Sequence, residues 1–190
     1  TNSNFYRLAN SNATESYVDS IERNRIWLDI VNSSNRSDRT LFGYIQDATM
    51  AEDNFFDCLT QNTGDLRIYS LINDKKYIIQ GRSLPFDVND EVPIGINVPT
   101  TGSYSIGLAA VDGLFDQQNI YLKDLLLNTI HDLKAAPYQF TASAGNYNDR
   151  FRVVYLTAAL GNNDFDYNNE VKVMTNESLS VSSSHQIIES

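Results

Sequence analysis

The sequence predicts an all-β fold, an antiparallel β-sandwich of the jelly-roll type. Apolar residues recur with a period of two, most clearly in residues 103–110, where Tyr104, Ile106 and Leu108 alternate with small or polar residues. This is the period of a strand with one buried face. Asn, Asp, Ser and Gly cluster between such runs, where turns are expected. About eight to ten runs of this kind across residues 25–155 indicate a sandwich.

The first half of the chain predicts four strands, at residues 25–31, 41–45, 66–71 and 77–80. The first carries apolar side chains on both faces, as expected for a strand inside a sandwich. The last two flank Asn73 and Asp74, which predict a hairpin turn. Residues 46–64 are ambiguous: residues 50–58 could make one helical turn, but their length favours a loop that tucks Phe55 and Phe56 under the sandwich.

The second half predicts further strands, at residues 103–110, 120–123, 129–133, 138–140 and 151–155. Residues 125–127 are three leucines, too short a run for an average helix. We therefore expect them at the apolar tip of a hairpin that pairs residues 120–123 with residues 129–133. Residues 81–93 contain two prolines and several acidic residues, which predict a crossing between sheets and not a central strand.

The composition changes near the end of the chain and suggests four regions. Residues 1–20 are expected to be a polar linker or edge strand, residues 21–160 the sandwich, and residues 161–169 a polar linker. Residues 170–190 contain two short strand patterns, too few to bury a core. They are expected to be the first strands of a small β-domain that is truncated here.

Charge and composition limit the classes of partner. The formal net charge is -10 and the pI is about 4.5, which argues against nucleic acid because phosphate binding needs clustered Lys and Arg. No apolar run approaches the roughly 18 residues that span a bilayer, so membrane insertion is not expected. Abundant Asn, Ser and Thr with few Lys favour a secreted protein. The single cysteine, Cys58, is expected to be a small buried apolar residue.

No catalytic constellation is recognisable, and we expect a protein that is not an enzyme. His131 precedes Asp132, but the G-x-S-x-G motif that would supply a nucleophile is absent from the sequence. Carboxylates are plentiful, yet no segment marks the defined pair that a glycosidase needs. A partly exposed strand histidine is the simpler interpretation of His131.

No cofactor is expected, although calcium is a weak alternative. Asp164 and Asp166 alternate with other residues in the polar linker, as oxygen ligands do at the start of an EF-hand loop. Tyr167 occupies the place of the required glycine and Val173 that of the bidentate glutamate, so the EF-hand interpretation fails. A looser oxygen site there, or along residues 87–91, stays open.

A lectin-like, carbohydrate-binding module, with or without calcium, is the main alternative function. The chain has 11 Tyr, 9 Phe and 1 Trp, whose rings could stack on sugars. Trp27 is expected in the core because its strand is apolar on both faces. The aromatic residues expected at the surface are Tyr44, Tyr147 and Tyr167.

Arg82 and Arg150 lie at strand boundaries and are expected to form structural ion pairs. The carboxylates considered as partners are Asp149 and Asp87, which lie nearby in the sequence. Bidentate pairing with a carboxylate suits Arg better than Lys.

Several segments together resemble a known class of bacterial surface protein. They are RIWLDIVN, GYIQDAT, YIIQGRSLPF with DEVPIG, GSYSIGLAAVDGLF, NIYLKDLLLNTIHDL, PYQFTASAGNYNDRF and LGNNDF. In this order they resemble the module that precedes the C-terminal sorting domain in large adhesin-like proteins of Flavobacterium-type gliding bacteria. Such proteins are cargo of the type IX secretion system. The resemblance extends over roughly residues 5–181.

The resemblance implies a function and a location. The chain would be a non-catalytic presentation module at the bacterial cell surface, whose C-terminal region contacts the secretion and anchoring machinery of the outer membrane. Surface glycans are further candidate partners. Asp19, Ser20 and Ile21 are similar to the O-glycosylation motif of these bacteria, with Ser20 as the acceptor.

Overall fold

The computed structural model describes residues 24–60 and 65–156, and the backbone of residues 171–176 and 178–183. The described strands are β1 (Arg25–Asn32), β2 (Ser37–Ile45), β3 (Cys58–Leu59), β4 (Arg67–Ile72), β5 (Lys75–Ser83), β6 (Glu91–Val98), β7 (Gly102–Val111), β8 (Tyr121–Asp124), β9 (Thr129–Asp132), β10 (Tyr138–Ala142), β11 (Gly145–Val154), β12 (Val171–Asn176) and β13 (Ser178–Ser183). One 3₁₀ turn, Gly113–Asp116, follows β7. Within the described ranges, no helix has the length and apolar character needed to traverse a bilayer.

Eleven strands form one large sheet, which confirms the predicted all-β class. The order is β10-β7-β1-β2-β5-β4-β6-β11-β8-β9, and β3 pairs with β5. The sheet is mixed and not purely antiparallel, because β2 and β5 run parallel from Leu41↔Ile79 to Ile45↔Ser83. A jelly roll has two packed sheets, whereas these strands form one hydrogen-bonded sheet. The jelly-roll arrangement therefore stays a prediction.

The two ends of the sheet approach each other, which gives the body a barrel-like form. The Tyr138 hydroxyl on β10 donates to the Asp124 carboxylate on β8 over 3.0 Å. The Arg150 guanidinium on β11 donates to the Thr141 carbonyl on β10 over 3.2 Å. Side chains therefore connect the sheet ends.

The core lies inside this curved sheet. Alternate residues of β1 and β2, including Ile26, Leu28, Ile30 and Phe42, are fully buried. Trp27 does not share this core, contrary to our expectation: it is half-buried on the opposite face, and the Arg25 guanidinium lies 4.6 Å from its ring centroid. Successive strand residues face opposite sides of a sheet, so only one face of β1 can face the core.

Both predicted hairpins are confirmed. Strands β4 and β5 flank Asn73 and Asp74, which have positive φ values of 47° and 65°, as a two-residue hairpin turn with the twist of the sheet requires. Strands β8 and β9 pair from Tyr121↔Asp132 to Asp124↔Thr129. The three leucines lie at the tip between these strands, as predicted.

Two expectations for the irregular segments are wrong. Residues 81–93 are not purely a crossing segment, because both of their ends belong to strands: β5 continues to Ser83 and β6 begins at Glu91. Phe55 is not tucked under the sheet but is 94% exposed. Only Phe56 packs inward, with its Cβ against Gly81. Because Gly81 has no side chain, the Phe56 side chain fills the space beside it.

The chain enters and leaves the main body at the same end. At the entry, the Asn24 carbonyl accepts from the Tyr44 amide over 2.9 Å. At the exit, the Tyr155 hydroxyl lies 2.9 Å from the Tyr44 hydroxyl. We call this end the entry pole, and the end with the loops at residues 33–36, 99–101 and 143–144 the distal pole.

Strands β12 and β13 form a separate two-stranded antiparallel hairpin. They lie within the region predicted to begin a second β-domain. The predicted linkers at residues 1–20 and 161–169 lie outside the described residues.

Candidate functional site

The first cluster of buried polar groups, at the entry pole, is built on Arg82 and Asp90. The Arg82 guanidinium donates from Nε to Asp90 Oδ2 over 2.7 Å and from a terminal nitrogen to Oδ1 over 2.5 Å. Both side chains are at most 10% exposed. Because the acidic loop after β5 folds back over the strand, the two residues meet although they are eight positions apart.

Two tyrosines complete this cluster. The Tyr44 hydroxyl donates to Asp90 Oδ2 over 2.5 Å. A phenol has one proton, so the Tyr155 hydroxyl is the donor in the 2.9 Å contact between the two tyrosines. Burial raises the pKa of both hydroxyls above the usual 10.0. Both therefore stay protonated at neutral pH and serve as hydrogen-bond donors.

The second cluster, centred on Asp124 and Arg150, joins the two ends of the sheet. Arg150 donates to Asp124 from Nε over 3.1 Å and from a terminal nitrogen over 2.8 Å, and the Asp124 side chain is fully buried. The Arg150 guanidinium also lies 4.9 Å from the Phe140 ring centroid and 4.8 Å from that of Phe151. Apolar rings thus enclose the ion pair.

The Asp124 carboxylate also organises the tip of the β8–β9 hairpin. Its Oδ1 accepts from the backbone amides of Leu126 and Leu127 over 3.0 and 3.2 Å. Burial alone would raise the pKa of Asp124, but the hydrogen bonds from Arg150, Tyr138 and Leu127 outweigh burial and lower it. The carboxylate is therefore ionised and structural at neutral pH.

These two clusters leave little capacity for acid–base chemistry. A carboxylate offers about four acceptor positions, and Asp124 accepts from Arg150, Tyr138 and two backbone amides. A general acid or base needs a free position facing substrate. The arrangement is suited to fixing strands and loops in place.

The structure places the predicted arginines in these clusters but with other partners than those considered. Arg150 pairs with Asp124 and not with its neighbour Asp149, which is exposed. A bulge in β11 at residues 148–150 lets Arg150 face inward together with Phe151 and leaves Asp149 exposed. Arg82 pairs with Asp90 and not with Asp87.

Two other expectations about side-chain exposure are wrong. Tyr44 is 1% exposed and lies in the core, because it belongs to the inward-facing set of β2. Cys58 is exposed, because β3 is a two-residue strand at the side of β5 and its cysteine faces solvent. Of the described aromatic residues proposed for sugars, Tyr147 is the one that keeps partial exposure.

His131 and Asp132 make separate contacts. A ring nitrogen of His131 lies 2.8 Å from the Ala136 carbonyl. The Asp132 carboxylate accepts from the Lys134 amide over 2.8 Å. The two side chains thus stabilise the turn after β9.

The predicted calcium ligands divide between described and undescribed regions. Asp164, Asp166, Tyr167 and the acceptor Ser20 lie outside the described residues. In the acidic loop at residues 87–91, both Asp90 oxygens are engaged by Arg82. Across the part of the chain that the structure describes, no group of three or more His, Cys, Asp or Glu side chains could hold a metal ion.

Sequence reasoning missed Asp90 and Asp124 as the ion-pair partners. Asp124 lies 26 positions from Arg150, and no local pattern links the two. The one available signal for Asp124 is its position at the end of a strand before exposed leucines, where a carboxylate can accept from turn amides.

Comparison with known proteins identifies the family. The family described as Domain of unknown function (DUF8693) matches residues 1–155, and the chain therefore belongs to this family. The match ends at Tyr155, the exit of the main body. No curated protein and no solved structure matches the chain.

Proposed function

We propose that the chain is a non-catalytic presentation module of a secreted bacterial surface protein, adhesin-like cargo of the type IX secretion system. The observation that carries the non-catalytic part is the engagement of its buried ionisable groups. Arg82 with Asp90 and Arg150 with Asp124 form bidentate pairs inside the body. Such pairs fix geometry, whereas catalytic groups must face substrate.

The position of the chain ends supports a particular form of presentation. Asn24 and Tyr155 both contact Tyr44, so the flanking segments leave from one pole. A body attached in this way adds little length between the segments that flank it in the chain. Its distal pole and its sides carry neither the entry nor the exit of the chain, as a display module requires.

The surface location and the secretion partners rest on the sequence resemblance. In this proposal the C-terminal region contacts the outer-membrane secretion and anchoring machinery, and the main body folds outside the cell. A body with one free cysteine and no disulfide depends on packing and ion pairs for its stability. Such a body folds in either redox environment.

Turnover assays test the non-catalytic role. We expect the full chain to hydrolyse none of a panel of chromogenic glycosides, esters and peptides. The variant Asp90→Asn changes a buried carboxylate and Asp116→Asn an exposed one, and any turnover is compared between them. Turnover that Asp90→Asn abolishes and Asp116→Asn preserves would overturn the proposal.

A further inference from the structure

An open cleft lies on the side of the body between the β8–β9 hairpin tip and β11. Its volume is about 390 Å³, and its lining includes Leu125, Leu126 and residues 146–150. Binding pockets for small ligands have volumes of roughly 300–1,000 Å³. The cleft is therefore large enough for one or two sugar rings.

A bulge in β11 creates the polar wall of this cleft. The β11–β6 pairing runs to Tyr147↔Ile96 and resumes at Phe151↔Ile94. Residues 148–150 therefore oppose the single residue Gly95, and Asn148 and Asp149 are displaced from the regular ladder. Bulges of this kind redirect side chains and are frequent near binding sites.

Two asparagine amides on this wall have their oxygens engaged by neighbouring side chains. The Tyr69 hydroxyl donates to Asn148 Oδ1 over 2.9 Å, and Lys76 Nζ donates to Asn146 Oδ1 over 3.3 Å. Burial raises the pKa of Tyr69 to about 12, so its hydroxyl remains a donor at neutral pH. Since the oxygens are engaged, the Nδ2 groups are the ones left to donate to a ligand.

The rest of the cleft supplies an acceptor and an apolar wall. Asp149 is exposed and offers carboxylate oxygens beside the two amides. Leu125 and Leu126 are 42% and 66% exposed. Their backbone is held in place, because the Leu125 amide donates to the Arg150 carbonyl and the Leu126 amide to the buried Asp124. An apolar surface thus lies beside amide donors and one acceptor.

We propose that this cleft binds a neutral saccharide. Sugar hydroxyls both donate and accept, which suits amide donors next to a carboxylate, and the C–H faces of a sugar ring suit the leucines. The net charge of -10 and the carboxylate of Asp149 disfavour anionic sugars. The presentation role does not depend on this site.

The surroundings of the cleft favour a saccharide over an extended peptide. A peptide that adds a strand needs an unpaired sheet edge. β6 occupies one edge of β11 on both sides of the bulge, and β8 occupies the other edge over residues 151–154. The cleft is short, because its lining comprises two leucines and five residues of β11, so a compact ligand fits it better than a long chain.

Nuclear magnetic resonance of the ¹⁵N- and methyl-labelled full chain tests the proposal. The probes are cellotetraose, laminaritetraose, maltotetraose and mannotetraose at millimolar concentration, with tetra-alanine as the peptide comparison. We expect at least one tetrasaccharide to shift the Asn146 and Asn148 side-chain amide signals together with the Leu126 methyl signals.

Two pairs of exposed residues provide matched controls. Asp149→Ala and Leu126→Ser are expected to weaken saccharide binding about tenfold or more. Asp116→Ala, an exposed aspartate at the entry pole, and Leu127→Ser, an exposed leucine outside the cleft lining, are expected to leave it unchanged.

Three results would overturn the proposal. They are no shift with any tetrasaccharide, shifts confined to residues outside the cleft, and binding of tetra-alanine alone. Because all four substituted side chains are exposed, the variants are expected to fold, and an unchanged amide spectrum away from the substitution verifies this.

Discussion

At the scale of single residues, buried ion pairs distinguish this protein from a body that is held together by apolar packing alone. Asp124 is fully buried and Arg150 is 5% exposed. Removing charge from one member of a buried pair leaves the other uncompensated, which costs several kcal/mol. The pair links the neighbouring strands β8 and β11, and Tyr138 and Thr141 connect it to β10 at the other end of the sheet, so its loss affects the closure of the whole body.

Asp124→Asn therefore tests the structural role of this pair. We expect a decrease of about 3–5 kcal/mol in the free energy of unfolding, measured by urea denaturation. Asp149→Asn is the matched control, because this neighbouring carboxylate is exposed. Its effect should stay within about 0.5 kcal/mol. Equal effects of the two substitutions would show that the buried Asp124–Arg150 pair contributes no more to stability than an exposed carboxylate does.

The residue scale is also where prediction from sequence was least complete. The positions of Arg82 and Arg150 at strand boundaries suggested structural pairing, but the partners Asp90 and Asp124 depend on how the chain folds back. Tyr44 was assigned to the surface although its alternation with Phe42 in β2 contained the signal for burial. The neighbouring Phe55 and Phe56 favour burial of Cys58, whereas the short strand β3 exposes it.

At the scale of elements, local turn chemistry determines what can be predicted. The β4–β5 and β8–β9 hairpins were both predicted, because Asn73-Asp74 and the residues between β8 and β9 are local signals. The parallel pairing of β2 with β5 has no local signal, since it joins strands separated by residues 46–74. The prolines that suggested a crossing segment lie beyond β5, at the cis Leu84–Pro85 bond, and within β6.

The β4–β5 turn provides a test at this scale. Asp74 has a φ of 65°, a conformation that glycine adopts freely and β-branched residues resist. We expect Asp74→Val to lower the free energy of unfolding by about 1–2 kcal/mol, whereas Asp74→Gly should cause no loss. Thermal and urea denaturation of the two variants give the comparison. A valine variant as stable as the glycine variant would contradict the assigned turn.

At the scale of the whole molecule, the composition predicted an all-β body but not its closure. Strand order depends on long-range pairing, and no sequence pattern indicates that β10 meets β8 and β11 through Tyr138 and Arg150. The proximity of entry and exit is likewise a property of the assembled sheet. Because entry and exit lie at one pole, the body is attached to the rest of the chain at that pole alone. This attachment is the geometric basis of the presentation role that we propose.

The central claim, that the body is displayed outside the cell, is tested by labelling its single cysteine on intact cells. Cys58 is exposed, so a membrane-impermeant maleimide should reach it wherever the native protein is at the surface, and Cys58→Ser provides the background. We predict equal labelling of Cys58 in intact and permeabilised cells. Labelling that appears only after permeabilisation would contradict the account.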